Sequence, residues 1–187
     1  MPHSQVLIVG AGPTGLVLAL WLTRAGITVR LIDSAAEPGT TSRAVGVQAR
    51  TLEFYRQLGI ADAVIDAGFP MVAINMWSRG RKAARIRFAD MGEGLSLYPY
   101  MLIYPQDLHE RLLLSELEKL GVACEREVTL VDVEPKDDVA VAKLRHANGT
   151  EEVVETPYLA GCDGASSQVR KSLGLDFEGG TYENVCF

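Results

Sequence analysis

The chain has 187 residues, 48% of them hydrophobic and 22% charged, and its 18 Lys and Arg against 24 Asp and Glu leave a formal net charge of -6. That length suits one globular domain with room for a small second lobe, and lets the chain bury roughly two-thirds of its unfolded surface. The acidic balance argues against a nucleic acid or an anionic membrane held by bulk electrostatics, so any phosphate must be gripped by local devices.

Residues 6–23 read VLIVGAGPTGLVLALWLT and carry no charge over nearly the length of a transmembrane helix. Three glycines and a proline interrupt the run, and neither a preceding Lys or Arg nor a convincing cleavage site marks it as an export signal. It therefore divides into strand, turn and helix. Gln5–Val9 is apolar and β-branched, as expected of a parallel strand buried on both faces. Gly10, Ala11, Gly12, Pro13, Thr14 and Gly15 then spell GxGxxG. In that pattern the first glycine makes the tight turn, the second lets a pyrophosphate approach the backbone, and the third lets helix and strand pack closely. Leu16–Ala25 continues as a helix that is apolar on nearly every side and is stopped by Gly26. Its N-terminal N–H groups and dipole can hold an anion without any net positive charge. Ile27–Ile32 forms the next strand and delivers Asp33, about 20 residues beyond the glycines, where a carboxylate accepts hydrogen bonds from an adenosine ribose. Strand, glycine turn, helix, strand and acid in this order predict dinucleotide binding.

Residues 37–60, EPGTTSRAVGVQARTLEFYRQLGI, end in a helical pattern with Leu52, Tyr55 and Leu58 on one side. Val72–Trp77 and Ala83–Ala89 alternate around Ser78-Arg79-Gly80-Arg81 and predict a β-hairpin. Trp77, Tyr98, Tyr100 and Tyr104 either face an aromatic ligand or, as more often, pack within sheet and core. Pro105 and Asp107 open an amphipathic helix over Asp107–Leu120, with Leu113, Leu117 and Leu120 on its apolar stripe. A meander follows over Glu127–Val133, Val139–His146 and Glu151–Thr156, turning at Lys136-Asp137-Asp138 and at Asn148-Gly149. Residues 158–175, YLAGCDGASSQVRKSLGL, read as a strand end, a turn with permissive glycines, and a helix capped by Ser166 or Ser167.

Cys124, Cys162 and Cys186 form no CxxC pair and, being odd in number, no complete disulfide framework, which fits a reducing cytoplasm. Cys162 is expected to be a small packing residue rather than a nucleophile. His3, His109 and His146 are isolated, read as surface residues, and offer no metal-ligand spacing.

With GAGPTG, the Ser42-Arg43-Ala44 element and Cys162-Asp163-Gly164 in this order, the chain resembles the FAD-dependent aromatic hydroxylases of the para-hydroxybenzoate hydroxylase type over essentially its whole length. The resemblance implies an α/β fold: a Rossmann-like FAD-binding domain with a parallel sheet and a β-meander, plus part of a second, substrate-binding β-sheet lobe. It implies a discontinuous FAD-binding domain over residues 1–69 and 105–182, a partial substrate lobe over 70–104, and the start of a truncated strand at 183–187. FAD, rather than NAD, would lie on Gly10, Gly12, Pro13, Thr14, Gly15 and Asp33, although many members carry Glu where this chain has the shorter Asp33. Ser42 and Arg43 would lie near the pyrophosphate, where an arginine fork suits phosphate oxygens. Arg50 is either a weaker candidate of the same kind or a solvated helix charge. Gln106 stands either near the flavin or in a helix-start hydrogen bond. Asp163 and Gly164 would meet the ribityl or pyrophosphate region, with Arg170 toward the pyridine nucleotide; alternatively Asp163 only satisfies backbone donors in a turn.

The implied activity is a cytoplasmic monooxygenase in which NAD(P)H reduces FAD, O2 adds to give a flavin C4a-hydroperoxide, and a hydroxyl passes to an electron-rich aromatic substrate. Such chemistry belongs to the cofactor, so no catalytic residue is assigned. The family's later Gly-Asp motif does not occur, and the chain is expected to be an N-terminal portion whose activity alone is in doubt. Two other classes stay open: a non-catalytic FAD- or ADP-binding module, and a related flavoprotein epoxidase or reductase on a non-aromatic substrate.

Overall fold

The structure is a computed structural model and describes residues 4–39, 46–87 and 94–180. In chain order the elements are β1 (Val6–Val9), α1 (Pro13–Arg24), β2 (Val29–Asp33), β3 (Gly46–Val47), α2 (Ala49–Gln57) and α3 (Ala61–Ala67). Next come β4 (Phe69–Met71), β5 (Ala73–Ser78), β6 (Arg81–Arg87), β7 (Met101–Ile103) and α4 (Gln106–Lys119). The chain continues through β8 (Cys124–Arg126), β9 (Thr129–Lys136), β10 (Val139–Arg145), β11 (Glu151–Thr156), β12 (Tyr158–Gly161) and α5 (Gln168–Ser172). Two compact units result, one from Met1–Gly15, Ile27–Ala36 and Cys124–Phe187, the other from Leu16–Gly26 and Glu37–Ala123.

In the first unit a parallel sheet runs β12-β1-β2-β8. All four residues of central β1 are buried, which explains its unbroken apolar run. Beside it β9, β10 and β11 form the antiparallel meander. Leu7, Val9 and Ile32 of the parallel sheet join Val128, Leu130, Val133, Ala142, Leu144 and Val169 in one core cluster. The α/β architecture with a parallel sheet and a meander is thus the one the sequence implies. Strands β1 and β2 begin one and two residues later than their apolar runs, because Gln5 and Thr28 clasp each other: Gln5 N donates to Thr28 Oγ1 at 3.1 Å and Thr28 N to Gln5 Oε1 at 3.0 Å. Helix α1 starts at Pro13 rather than Leu16, since the fixed φ of proline suits a first helical position. Arg30 clamps the layers together, forking onto Glu125 from Nε and Nη2 and onto Glu152 from Nη1 and Nη2, all at 2.8 to 2.9 Å.

The second unit holds α2, α3 and α4 with a small antiparallel sheet ordered β3-β7-β4. Leu16 and Leu20 of α1 and Leu52, Tyr55, Val64, Leu102, Leu113 and Leu117 are among its most deeply buried side chains. Strands β5 and β6 form the expected hairpin as a separate two-stranded sheet, turning at Arg79 (φ 50) and Gly80 (φ 72) as a two-residue loop with two left-handed positions does. Among the aromatic residues, Tyr98 and Tyr104 are buried packing residues while Trp77 is exposed.

Three expectations are overturned here. His109 is buried at 6% exposure, because it stands four and eight residues before Leu113 and Leu117 on the inward stripe of α4. Leu120, expected on that stripe, is 38% exposed at the helix C-cap, where the chain leaves the helical spiral. Neither is His146 isolated: its Nε2 lies 2.9 Å from Glu152 Oε2. His3, Cys186, Phe88, Ala89 and the strand expected at 183–187 lie outside the described residues. Among the described residues no helix is long and apolar enough to cross a membrane.

Candidate cofactor site

The site is built where β1 ends. Cys162 N donates to Val9 O at 2.7 Å and Gly10 N to Ile32 O at 2.8 Å, so the chain leaving β1 is sewn to both neighbouring strands. Gly10 sits at φ +103, and a Cβ there would strike the Cys162 carbonyl. A Cβ on Gly15 would strike the Gly10 carbonyl and come within 3.3 Å of the Cys162 side chain. Gly12 differs from both, because a Cβ on it would meet nothing within 4 Å among the described residues. Among the described residues no packing contact requires a glycine at 12, and the open space beside the start of α1 suits a pyrophosphate approaching the backbone. The first-turn N–H groups of α1, those of Thr14 and Gly15 among them, have no intrahelical partner and form the anion-binding end of the helix. Pro13 contributes the first helical position without an N–H to satisfy.

Asp33 closes the loop from the other side. Its Oδ2 accepts from Ala11 N at 2.6 Å and its Oδ1 from Ala35 N at 2.8 Å, which fixes the carboxylate at the carboxyl end of β2 against the glycine turn. Arg126 stands next to it, Nη1 3.6 Å from Asp33 Oδ1, with side chains only 19% and 18% exposed. Its Nη2 is buried without a hydrogen-bond partner among the described residues. An unpaired buried donor costs about 1 to 3 kcal/mol, more when charged. Sequence reading missed Arg126 because its importance comes from the parallel register that sets it opposite Asp33, a non-local pairing that no local pattern announces.

At the end of β12 the second turn is made by Asp163 and Gly164, the latter at φ +78. Both Asp163 oxygens are engaged: Oδ1 accepts from Ser167 Oγ at 2.6 Å, and Oδ2 from the backbone N–H of Gln168 at 2.6 Å and of Val169 at 3.2 Å. Ser167 Oγ in turn accepts from Arg170 N at 3.0 Å, which makes Ser167, of the two serines considered, the helix cap. The reading of Asp163 as a turn residue satisfying backbone donors therefore describes its geometry. Arg170 donates from Nη2 to Ala165 O at 3.2 Å and lies 4.9 Å over the Phe177 ring. Burial and the Asp163 carboxylate push the Cys162 thiol pKa up, as befits a packing residue.

Gln106 belongs to the second unit and begins α4; its Nε2 donates to Glu110 Oε1 at 2.8 Å, and Glu110 Oε2 accepts from Gly39 N at 3.3 Å. Arg50 pairs with Glu53 at 2.9 Å and covers the Phe54 ring at 4.5 Å, the geometry of a solvated helix charge. Ser42 and Arg43 lie outside the described residues. Among the described residues no group of three or more His, Cys, Asp or Glu is placed to hold a metal ion.

A glycine-lined helix start with an acid at the end of the second parallel strand defines a dinucleotide-binding α/β protein. Residues 3–185 match the FAD binding domain family, and the chain belongs to it. It is 45% identical over 175 residues to a 6-methylpretetramide 4-monooxygenase of Streptomyces rimosus, covering 94% of this chain and 31% of that protein. It is 32% identical to a pentachlorophenol 4-monooxygenase of Sphingobium chlorophenolicum, covering 96% of this chain and 33% of that one. Among solved structures, a p-nitrophenol 4-monooxygenase from Pseudomonas putida superposes with a TM-score of 0.89 at 26% identity, over 96% of this chain and 46% of its own. An aklavinone-11 hydroxylase solved with FAD and aklavinone gives 0.84 at 29% identity, over 93% and 35%. The chain thus spans about a third of the length of these two curated relatives.

Proposed function

We propose that this chain supplies the ADP-binding half of the FAD site of a cytoplasmic monooxygenase that hydroxylates a small aromatic substrate with NAD(P)H and O2. The observation that carries the reading is the open space at Gly12, in a loop whose other two glycines are closed against backbone. Relatives named as monooxygenases of 6-methylpretetramide, pentachlorophenol and p-nitrophenol support the reaction class. Bound FAD would supply the redox chemistry, carrying electrons from the nicotinamide to O2 so that one oxygen atom reaches the ring.

The protein's part is to bind and orient. Gly10, Gly12, Pro13, Thr14 and Gly15 cradle the pyrophosphate, and Asp33 accepts from the adenosine ribose. Ser42 and Arg43 act near the phosphates, Gln106 near the flavin, and Gly164 gives the flavin chain close approach to the second turn. Asp163 serves this site by holding α5 in place, and Arg170 faces the nicotinamide nucleotide. The same reading divides the chain into an FAD-binding domain over 1–69 and 105–182 and a partial substrate lobe over 70–104, a division supported by the hairpin β5–β6 standing as a sheet of its own.

The test is Gly12→Val, with bound flavin followed by absorbance and by quenching of its fluorescence. We expect FAD binding to be abolished while circular dichroism and the melting temperature of the ligand-free chain stay unchanged, because the new side chain fills empty space. FAD affinity at the wild-type level would overturn the assignment.

A further inference from the structure

Asp33 and Arg126 are register partners on the adjacent parallel strands β2 and β8, so both side chains stand on one face at the carboxyl end of the sheet. Ligands of open α/β sheets bind outside that end. Yet the two do not form a closed pair. At 3.6 Å the contact between Arg126 Nη1 and Asp33 Oδ1 is an ion pair too long for a hydrogen bond, and the aspartate takes its hydrogen bonds from Ala11 and Ala35 instead. The arginine is left with a buried Nη2 that no acceptor among the described residues satisfies.

The backbone holds the arginine at this place. Glu127, directly after it, adopts φ 57, a left-handed conformation that a non-glycine residue enters only when its surroundings fix it. The fixing contacts run to the end of β2: Glu127 N donates to Ala35 O at 3.4 Å and Val128 N to Asp33 O at 3.0 Å. Strained backbone thus pins the residue next to Arg126 to the strand that carries Asp33.

A carboxylate only accepts and a guanidinium only donates, whereas a sugar hydroxyl does both. We propose that Arg126 is a cofactor-binding residue: Asp33 accepts the proton of a ribose hydroxyl while Arg126, turning on its long stem, donates its unpaired Nη2 N–H to a hydroxyl oxygen of the same ribose. The pair thereby reads the vicinal diol of an adenosine from both sides, and the orphaned donor is the half of the clamp completed by the ligand. This rests on the dinucleotide reading of the glycine loop.

The experiment is calorimetric titration of the full chain with ADP and with 2′-deoxy-ADP, for the wild type and for Arg126→Met. Wild type should prefer ADP. In Arg126→Met, ADP affinity should fall roughly tenfold while 2′-deoxy-ADP affinity changes little, so that the preference collapses, the scale expected for one charged hydrogen bond. The melting temperature of the ligand-free variant serves as the folding control. Unchanged ADP affinity in a folded variant, or a wild type that binds both nucleotides equally, would overturn the role of Arg126 and leave the glycine-loop assignment standing. A wild type that binds neither ADP nor FAD would overturn both. Should Arg126→Met not fold, Arg126→Lys, which keeps the charge without the planar fork, carries the test and should show an intermediate preference; a preference equal to wild type in that variant would overturn the role of the guanidinium fork.

Discussion

Two strand-to-helix junctions lie side by side in the first unit, and they use the start of a helix in opposite ways. At the β12–α5 junction the Asp163 carboxylate occupies the helix N-terminus, accepting from Ser167 Oγ and from two backbone N–H groups. The β1–α1 junction has no acidic residue in its first helical turn, and its one nearby carboxylate, Asp33, bonds Ala11 ahead of the helix. One junction carries its own anion; the other keeps the place for an incoming one. A helix start with a built-in carboxylate has its donors satisfied from within, and one without it, beside glycine-made space, suits an incoming anion.

Three substitutions press on this contrast, in descending order of effect. Gly15→Ala places a methyl group against the Gly10 carbonyl, so we expect a loss of about 4 kcal/mol or failure to fold, measured by urea denaturation. A mild effect there would mean the loop is soft, and the special status of open Gly12 would vanish. Next is a control in the second unit, where burial lowers the pKa of His109 from 6.5 to about 4. The unfolded chain then binds the proton more tightly than the folded one, so stability is complete above pH 6.5 and falls as the pH drops toward 4, by on the order of 3 kcal/mol. His109→Gln should flatten that part of the pH profile, while substitutions at either junction should leave it in place. Third, Asp163→Ala should cost about 1 to 3 kcal/mol even without any nucleotide present, the range for losing a cap and leaving its donors unpaired. Ligand-free stability equal to wild type would break the comparison by showing that Asp163 is no joint.

Local features were legible in the sequence, and non-local ones were not. GAGPTG could be read because spacing along the chain alone places three glycines at one turn, and the hairpin because Arg79-Gly80 sits between two alternating runs. His109 was misread by residue type although its spacing to Leu113 and Leu117 pointed inward. For Asp163 the sequence left two roles open, and the hydrogen bonds to Ser167, Gln168 and Val169 show the turn role, which depends on how the chain folds back at α5. Arg126 carried no signal at all, since its partner Asp33 is brought opposite by a crossover between strands far apart in the chain.

The hairpin β5–β6 has a consequence for how copies of this chain behave toward one another. Its outer edges pair with no further strand among the described residues, and Ile74, Met76, Trp77 and Ile86 are exposed on it. Such edges are templates for sheet growth between molecules. Strand β5 carries no charge, but the turn and β6 hold Arg79, Arg81, Lys82 and Arg85, like charges that repel an approaching hairpin of the same kind. The resistance of this hairpin to edge pairing is therefore electrostatic, and it weakens as added salt shortens the reach of those charges from about 10 Å at 0.1 M to about 3 Å at 1 M.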